Sequence, residues 1–505
     1  MLVHFTGRGV RWLAGAVVGI TLAGMFGAAP PADARPPVPL AAASDPVDSG
    51  SLSVINQIIG ADQAWAAGYT GAGVDVALID TGVALVPGIQ SANVVNGPDL
   101  SFDGQTMPED QRMIDGFGHG THLAGIIAGR DTASSGDTGP AQFMGVAPDA
   151  RLINVKVGAY DGSTDVSQVI AAVNWVVEHR TDNGINIRVL NLSYGTLSTQ
   201  DAMVDPLAFA VEAAWRAGIV VVVAGGNDGL ATNSLSNPAY DPLVIAVGAS
   251  DPHGTLDVAD DTIPAFATHG NKKRSVDVVA PGVGVLSLNV PGSFIDQTFY
   301  GAAGPQLVRG SGTSQSAAVV SGAAALVLQR YPQATPDQVK AQLKATATPM
   351  AKGTLEHKGT GVVNVAKAVT TPLPKAKSAK TVSLGTGSLE AARGPDHLSI
   401  DGNVLAGEQD IFGNPWNGSL VARAPGSKWK LGIWNGSRWS GDGWSAAGWT
   451  NVLWDQASWA GTDFVDVSLS TAVWDGSRWS GSRWSGSRWS GSRWSGSRWS
   501  SAGWA

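Results

Sequence analysis

The chain has 505 residues, a formal net charge of −8 and no cysteine. That length holds one large core and at least one further module. The mild acidity argues against a general nucleic-acid binder, and the missing cysteines exclude disulfides, thiolate metal sites and a cysteine nucleophile. An apolar content of 44% excludes disorder throughout, while 65 glycines and 19 tryptophans exceed ordinary usage.

The first element in chain order is a signal peptide over residues 1–34. Arg8 and Arg11 supply the basic region, Trp12 to Ala29 is apolar, and Ala32-Asp33-Ala34 gives the small-x-small cleavage pattern after Pro30-Pro31. The run only reaches the lower limit for spanning a bilayer, and no second long apolar run follows, so a secreted protein is expected. Residues 35–51 read as a short linker or pro-segment.

Residues 52–370 alternate apolar runs with helical patterns. The runs at 74–80, 151–157, 187–195, 218–227, 243–250 and 276–282 are almost continuously apolar, as strands buried on both faces are. Over 165–180, Val166, Val169, Ile170, Val173, Val176 and Val177 keep helical spacing. Alternating strands and helices predict an α/β fold, with a doubly wound, mainly parallel sheet and helices on both faces. In such folds, sites gather beyond the carboxyl ends of the strands.

Residues 371–395 read as a linker, and 396–505 as a separate Trp-rich region. From Trp429 to Trp504 every fifth residue is Trp except Phe464 and Leu469. A period of five fits neither a helix nor a strand. It suits a solenoid with one pentad per side, or else a low-complexity tail without fixed structure. Residues 476–505 carry five arginines and no acidic side chain. Arg beside Trp favours binding to anionic or sugar surfaces, so anchoring to a cell wall or envelope is expected.

Four polar residues of the main domain stand at strand ends or helix starts: Asp80, His119, Asn227 and Ser314. His119 and His122 have the spacing of a metal pair, but no Glu lies between them and no third ligand is evident. Carboxylate, imidazole, amide and hydroxyl are the parts that acyl transfer requires. Ser314, at the mouth of an apolar helix, is the candidate nucleophile; Ser311, Ser316 and Ser321 read as loop or helix-packing residues.

Over residues 52–370 the chain resembles the subtilisin-like serine peptidases, the subtilases. ALIDTGV around Asp80, GHGTHLAG around His119, VVAGGNDG around Asn227 and GSGTSQSA around Ser314 stand in family order. MGVAPDARLINVKV, NLSYG, NPAYDPLVIAVGA and VVAPG also match. The resemblance implies a serine endopeptidase with Ser314 as nucleophile, His119 as general base, Asp80 orienting His119 and Asn227 in the oxyanion hole. It implies further that protein or peptide substrate lies along Ser193-Tyr194-Gly195, and that Ala224-Gly225-Gly226 forms a wall of the specificity pocket. The family's nucleophile block normally has Met, Pro and His where this chain has Gln315, Ala318 and Val319. Fewer than 20 residues separate residue 34 from the main domain, too few for the family's propeptide domain. An alternative reading is therefore a weakly active or inactive subtilase-fold protein that binds cell surfaces through its Trp/Arg repeats. Catalysis is expected to need no cofactor. Calcium commonly stabilises the family, but Asp131 and Asp137 do not match its ligands one to one, so metal sites stay unassigned. A monomer that binds no nucleic acid is expected.

Overall fold

A computed structural model describes residues 50–416, apart from 90, 104–112, 131–142, 230–232, 300–306, 377–382, 396, 401–402 and 412–414, together with 498–499. The expected signal peptide, the loop acids Asp131 and Asp137 and nearly all of the Trp repeat lie outside the described residues. Two short helices, α1 (Leu52–Ile59) and α2 (Ala61–Ala66), lead into strand β1 (Asp75–Asp80). The remaining strands of the main sheet are β2 (Val94–Asp99), β3 (Arg151–Lys156), β4 (Ile187–Leu192), β5 (Val220–Ala224), β6 (Ile245–Ser250) and β7 (Val278–Pro281). Six of the seven fall within the expected apolar runs. The unexpected one, β2, has the sequence VVNGPD, where Gly and Pro mask a strand that survives only at the sheet edge.

The order is β2-β3-β1-β4-β5-β6-β7, with every neighbouring pair parallel. Strands β2 and β3 lie on one side of β1, and β4 to β7 on the other. The carboxyl ends of β1 and β4 therefore flank the topological switch point. Helices α3 (His119–Ala128), α4 (Val166–Glu178) and α5 (Pro206–Arg216) connect the strands. Asp165 caps α4 through a capping box with Gln168, which explains where that helix starts. Asp205 caps α5 by accepting from the N–H groups of Leu207 and Ala208, and Pro206 opens that helix.

A second, antiparallel pair joins β8 (Val285–Leu288) to β9 (Leu307–Ser311), with the short helix α6 (Phe294–Phe299) between them. From β9 the chain enters α7 (Thr313–Arg330), whose residues 313–328 are all buried. A helix apolar on every side belongs inside a core, and α7 packs along β4 to β7 and against α3. Helices α8 (Pro336–Thr346), α9 (Leu355–Lys358) and α10 (Val365–Thr370) close this unit.

The chain then returns to the same unit. Helix α11 (Leu389–Arg393) and the two-residue strands β10 (Ser399–Ile400) and β11 (Asn403–Val404) follow. Ser383, Leu389, Ala392, Arg393, Leu398, Leu405 and Ile411 are buried. Part of the stretch read as a linker is thus packed. Its helix is specified locally by Ser388, which caps by accepting from Ala391 N–H, and by Gly394 just past the end. The described pair of the repeat, β12 (Arg498–Trp499), runs antiparallel to β9, with Arg498 opposite Ser311 and Trp499 opposite Gly310.

Candidate active site

Strand β1 ends on Asp80, fully buried at the switch point. Its Oδ1 lies 2.7 Å from Nδ1 of His119, the first residue of α3. The same oxygen accepts from Thr81 N–H at 2.8 Å and from the Thr81 hydroxyl at 3.3 Å. Burial pushes the Asp80 carboxyl up, to about 8, against these two donors, and pushes the His119 imidazole well below its ordinary value. Burial thus resists charge on both groups, while the 2.7 Å contact sets one carboxylate oxygen directly against the imidazole.

Helix α3 begins at Gly118 without a capping side chain of its own. Asp115 replaces it: Oδ1 accepts from Gly118 N–H and Oδ2 from Thr121 N–H, both at 2.7 Å. Thr81 Oγ1 accepts from Gly120 N–H at 2.9 Å. The orphan donors of the first turn are therefore tied to the loop before α3 and to the residue after Asp80, which fixes His119 against the strand end. A Cβ at Gly120 would lie 2.1 Å from the Gly82 carbonyl oxygen, so only glycine permits this approach.

Ser314 is the second residue of α7 and is buried, and the helix follows Gly312, which offers no capping side chain. Asn227, just beyond β5, reaches the same helix start. Its Oδ1 accepts from Thr313 N–H at 3.1 Å and from the Thr313 hydroxyl at 3.0 Å. With Oδ1 turned to Thr313, Nδ2 is the opposite end of the amide. The other three serines of this region hold structure. Ser311 Oγ accepts from Gly284 N–H, Ser316 Oγ donates to Ala280 O, and Ser321 Oγ donates to Asn191 Oδ1.

Strands β4 and β5 pair with Leu192 opposite Val223. Ser193-Tyr194-Gly195 and Ala224-Gly225-Gly226 therefore leave the sheet side by side. Ser193 is tied to α7 through Asn191, whose Nδ2 donates to Ser193 Oγ. Gly225 donates to Val247 O and accepts from Ser236 N–H. Gly226 has φ +118°, and a Cβ there would lie 2.4 Å from Ser236 Oγ. Asp80, His119, Asn227 and Ser314 thus all sit at strand ends or helix starts on the carboxyl side of the sheet. Three residues that serve them, Thr81, Asp115 and Thr313, escaped the sequence reading. The signal for Asp115 was its position four residues ahead of His119 in a Gly-rich run that lacks any other cap. His122 is buried with its imidazole pushed well below its ordinary value by burial. Among the described residues no group of three or more His, Cys, Asp or Glu side chains could hold a metal.

A parallel α/β sheet with a buried Asp–His pair at its switch point, and a serine opening the central helix, has the layout of a serine hydrolase. The chain belongs to the subtilase family, Peptidase S8, whose model matches residues 71–366. With its subtilisin relatives, this places a serine-type endopeptidase domain in the chain. Serine protease AprX of Bacillus subtilis (strain 168) is 39% identical over 282 residues, 54% of this chain and 61% of AprX. The chain thus spans somewhat under two thirds of that relative. Subtilisin DY of Bacillus licheniformis is 33% identical over 314 residues, 61% of this chain and 95% of that protein. The solved structure of MycP1 with its N-terminal propeptide removed is 29% identical, covering 65% of this chain and 99% of that one, with a TM-score of 0.48.

Proposed function

We propose that this protein is a secreted serine endopeptidase acting through an acyl-enzyme on Ser314. The observation that carries the reading is the 2.7 Å Asp80–His119 contact on the same side of the sheet as the helix start that bears Ser314. Ser314 Oγ attacks the scissile carbonyl and His119 Nε2 takes its proton. Asp80 keeps the Nδ1–H tautomer and stabilises the imidazolium. The oxyanion is met by Asn227 Nδ2 and by the Ser314 N–H at the positive end of α7. His119 then gives its proton to the leaving amine, and water, activated by the same imidazole, releases the acyl group. Peptide substrate lies along Ser193-Tyr194-Gly195, with Ala224-Gly225-Gly226 walling the pocket for the side chain before the scissile bond.

Labelling with a fluorophosphonate probe tests this directly. Wild type should label and Ser314→Ala should not. A folded wild type that stays unlabelled would overturn the assignment. Export rests on the N-terminal pattern ending at Ala34, and a secreted product starting near residue 35 is the expected outcome of N-terminal sequencing. The Arg/Trp repeat is proposed to hold the enzyme at an anionic or sugar-bearing surface. Equal sedimentation with cell walls by the full chain and by a chain ending at Trp416 would dismiss that role.

A further inference from the structure

Arg393 lies outside the region matched to the family, yet it is the largest fully buried side chain of the described residues. Its five N–H groups are matched by five contacts. Nε donates to Asp165 Oδ1 at 2.7 Å and Nη2 to Asp165 Oδ2 at 3.4 Å. Nη1 donates to Glu390 Oε2 at 3.2 Å and to Gly407 O at 2.7 Å, and Nη2 also donates to Gln409 O. Asp165 in turn ends the loop that leaves β3. That loop begins with Val157 and Gly158 donating to Asp80 O at 2.8 and 3.2 Å. At its middle, Tyr160 packs so closely on Gly116 that a Cβ there would lie 2.9 Å from Tyr160 Cβ.

The same helix braces the other side. Ala392 O accepts from the Thr196 hydroxyl at 2.6 Å, directly after Gly195. Thr196 and Asn237 exchange backbone hydrogen bonds at 3.0 and 2.9 Å, and Ser236 N–H donates to Gly225 O at 3.1 Å. Gln200 and Ser388 also pair reciprocally, at 2.8 and 3.0 Å. A single short helix within the stretch read as a linker therefore holds the loop at Asp80, the 193–195 segment and, through Asn237, the 224–226 wall.

We infer that Arg393 is a positioning residue for substrate: helix α11 clamps Asp165 and Thr196 and so sets the spacing of the loops that flank the cleft. This inference rests on the substrate path proposed above. A small phosphonylating probe needs only Ser314 and its immediate partners, whereas an extended peptide needs the flanking loops. That difference supplies the test.

Arg393→Met, Arg393→Lys and wild type are compared as full chains well below their unfolding temperatures. In Arg393→Met, the rate of fluorophosphonate labelling should stay within about 3-fold of wild type. Turnover of a peptide spanning several residues on each side of the scissile bond should fall on the order of 10- to 100-fold in kcat/KM, mainly through KM. Arg393→Lys should recover only part of this, because an ammonium cannot fork across Asp165. Amide exchange at 158–165 and 193–197 should rise in both variants. Equal losses in labelling and peptide turnover, or exchange unchanged in those two segments, would overturn the inference. So would failure of every variant to fold, Lys included, which would assign the segment to stability alone. A wild type that never labels refutes the serine peptidase assignment instead, while the exchange measurement still reads the clamp.

Discussion

At the scale of single residues, the site depends on groups that prevent movement as much as on those that react. In the proposed mechanism, Asp80→Asn keeps the shape but loses the carboxylate assigned to fix the His119 tautomer. Its expected cost is on the order of 10⁴-fold in kcat, with KM little changed, as read from steady-state peptide hydrolysis. Asp115 touches no reacting atom, yet its two carboxylate oxygens cap the turn that begins with His119. Asp115→Ala should cost about 1–2 kcal/mol of stability and roughly 10-fold in kcat through a misplaced imidazole. A variant with wild-type kcat at a lowered Tm would restrict Asp115 to a structural role.

At the scale of elements, β6, β7 and α8 are joined through one buried carboxylate. Burial alone would raise Asp277, but Arg274 at 2.9 Å, Lys340 at 3.1 Å and Lys344 at 2.8 Å pull it below the ordinary carboxylate range. Because the folded value lies below the unfolded one, the group stabilises the fold above about pH 4 and loses that contribution as pH falls further. Asp277→Asn should therefore be destabilised by about 2–4 kcal/mol at pH 7, and the gap to wild type should shrink on acidification below pH 4. Denaturant melts at both pH values decide the matter; a gap that ignores pH would place the effect in packing. The contact between α3 and the loop after β1 is equally strict. Gly120→Ala must push the helix from the Gly82 carbonyl, and activity should fall more steeply than the Tm.

At the scale of the whole molecule, the peptidase unit extends past the region matched to the family. A chain ending at Thr371 loses α11 and leaves Asp165 without its buried partner. Removing one member of such a pair costs about 3–5 kcal/mol, so its Tm should fall by about 10 °C. A chain ending at Trp416 keeps the clamp and should melt and label like the full protein. Calorimetry on the two truncations separates these outcomes, and equal melting temperatures would show that the clamp contributes nothing to stability.

The sequence alone determined what local chemistry can specify. Runs such as VDVALID and VVVVA are almost continuously apolar, as buried parallel strands are, and the Asp165–Gln168 capping box at the start of α4 is built from residues three apart in sequence. Order and spacing likewise singled out Asp80, His119, Asn227 and Ser314 as candidates, because each stands in a glycine-bearing motif at a strand end or a helix start. Long-range pairing was decided only in three dimensions. VVNGPD is a strand because β3 offers it an edge, not because its residues favour one. Asp115 is a cap for α3 because a positive-φ glycine at 118 leaves the helix without one. Arg393 is 228 residues from Asp165 in sequence, and no pattern along a chain shows that a guanidinium and a carboxylate so far apart will be buried together. Local periodicity fixes elements, whereas the burial of a charge is decided by which partner the folded chain brings to it.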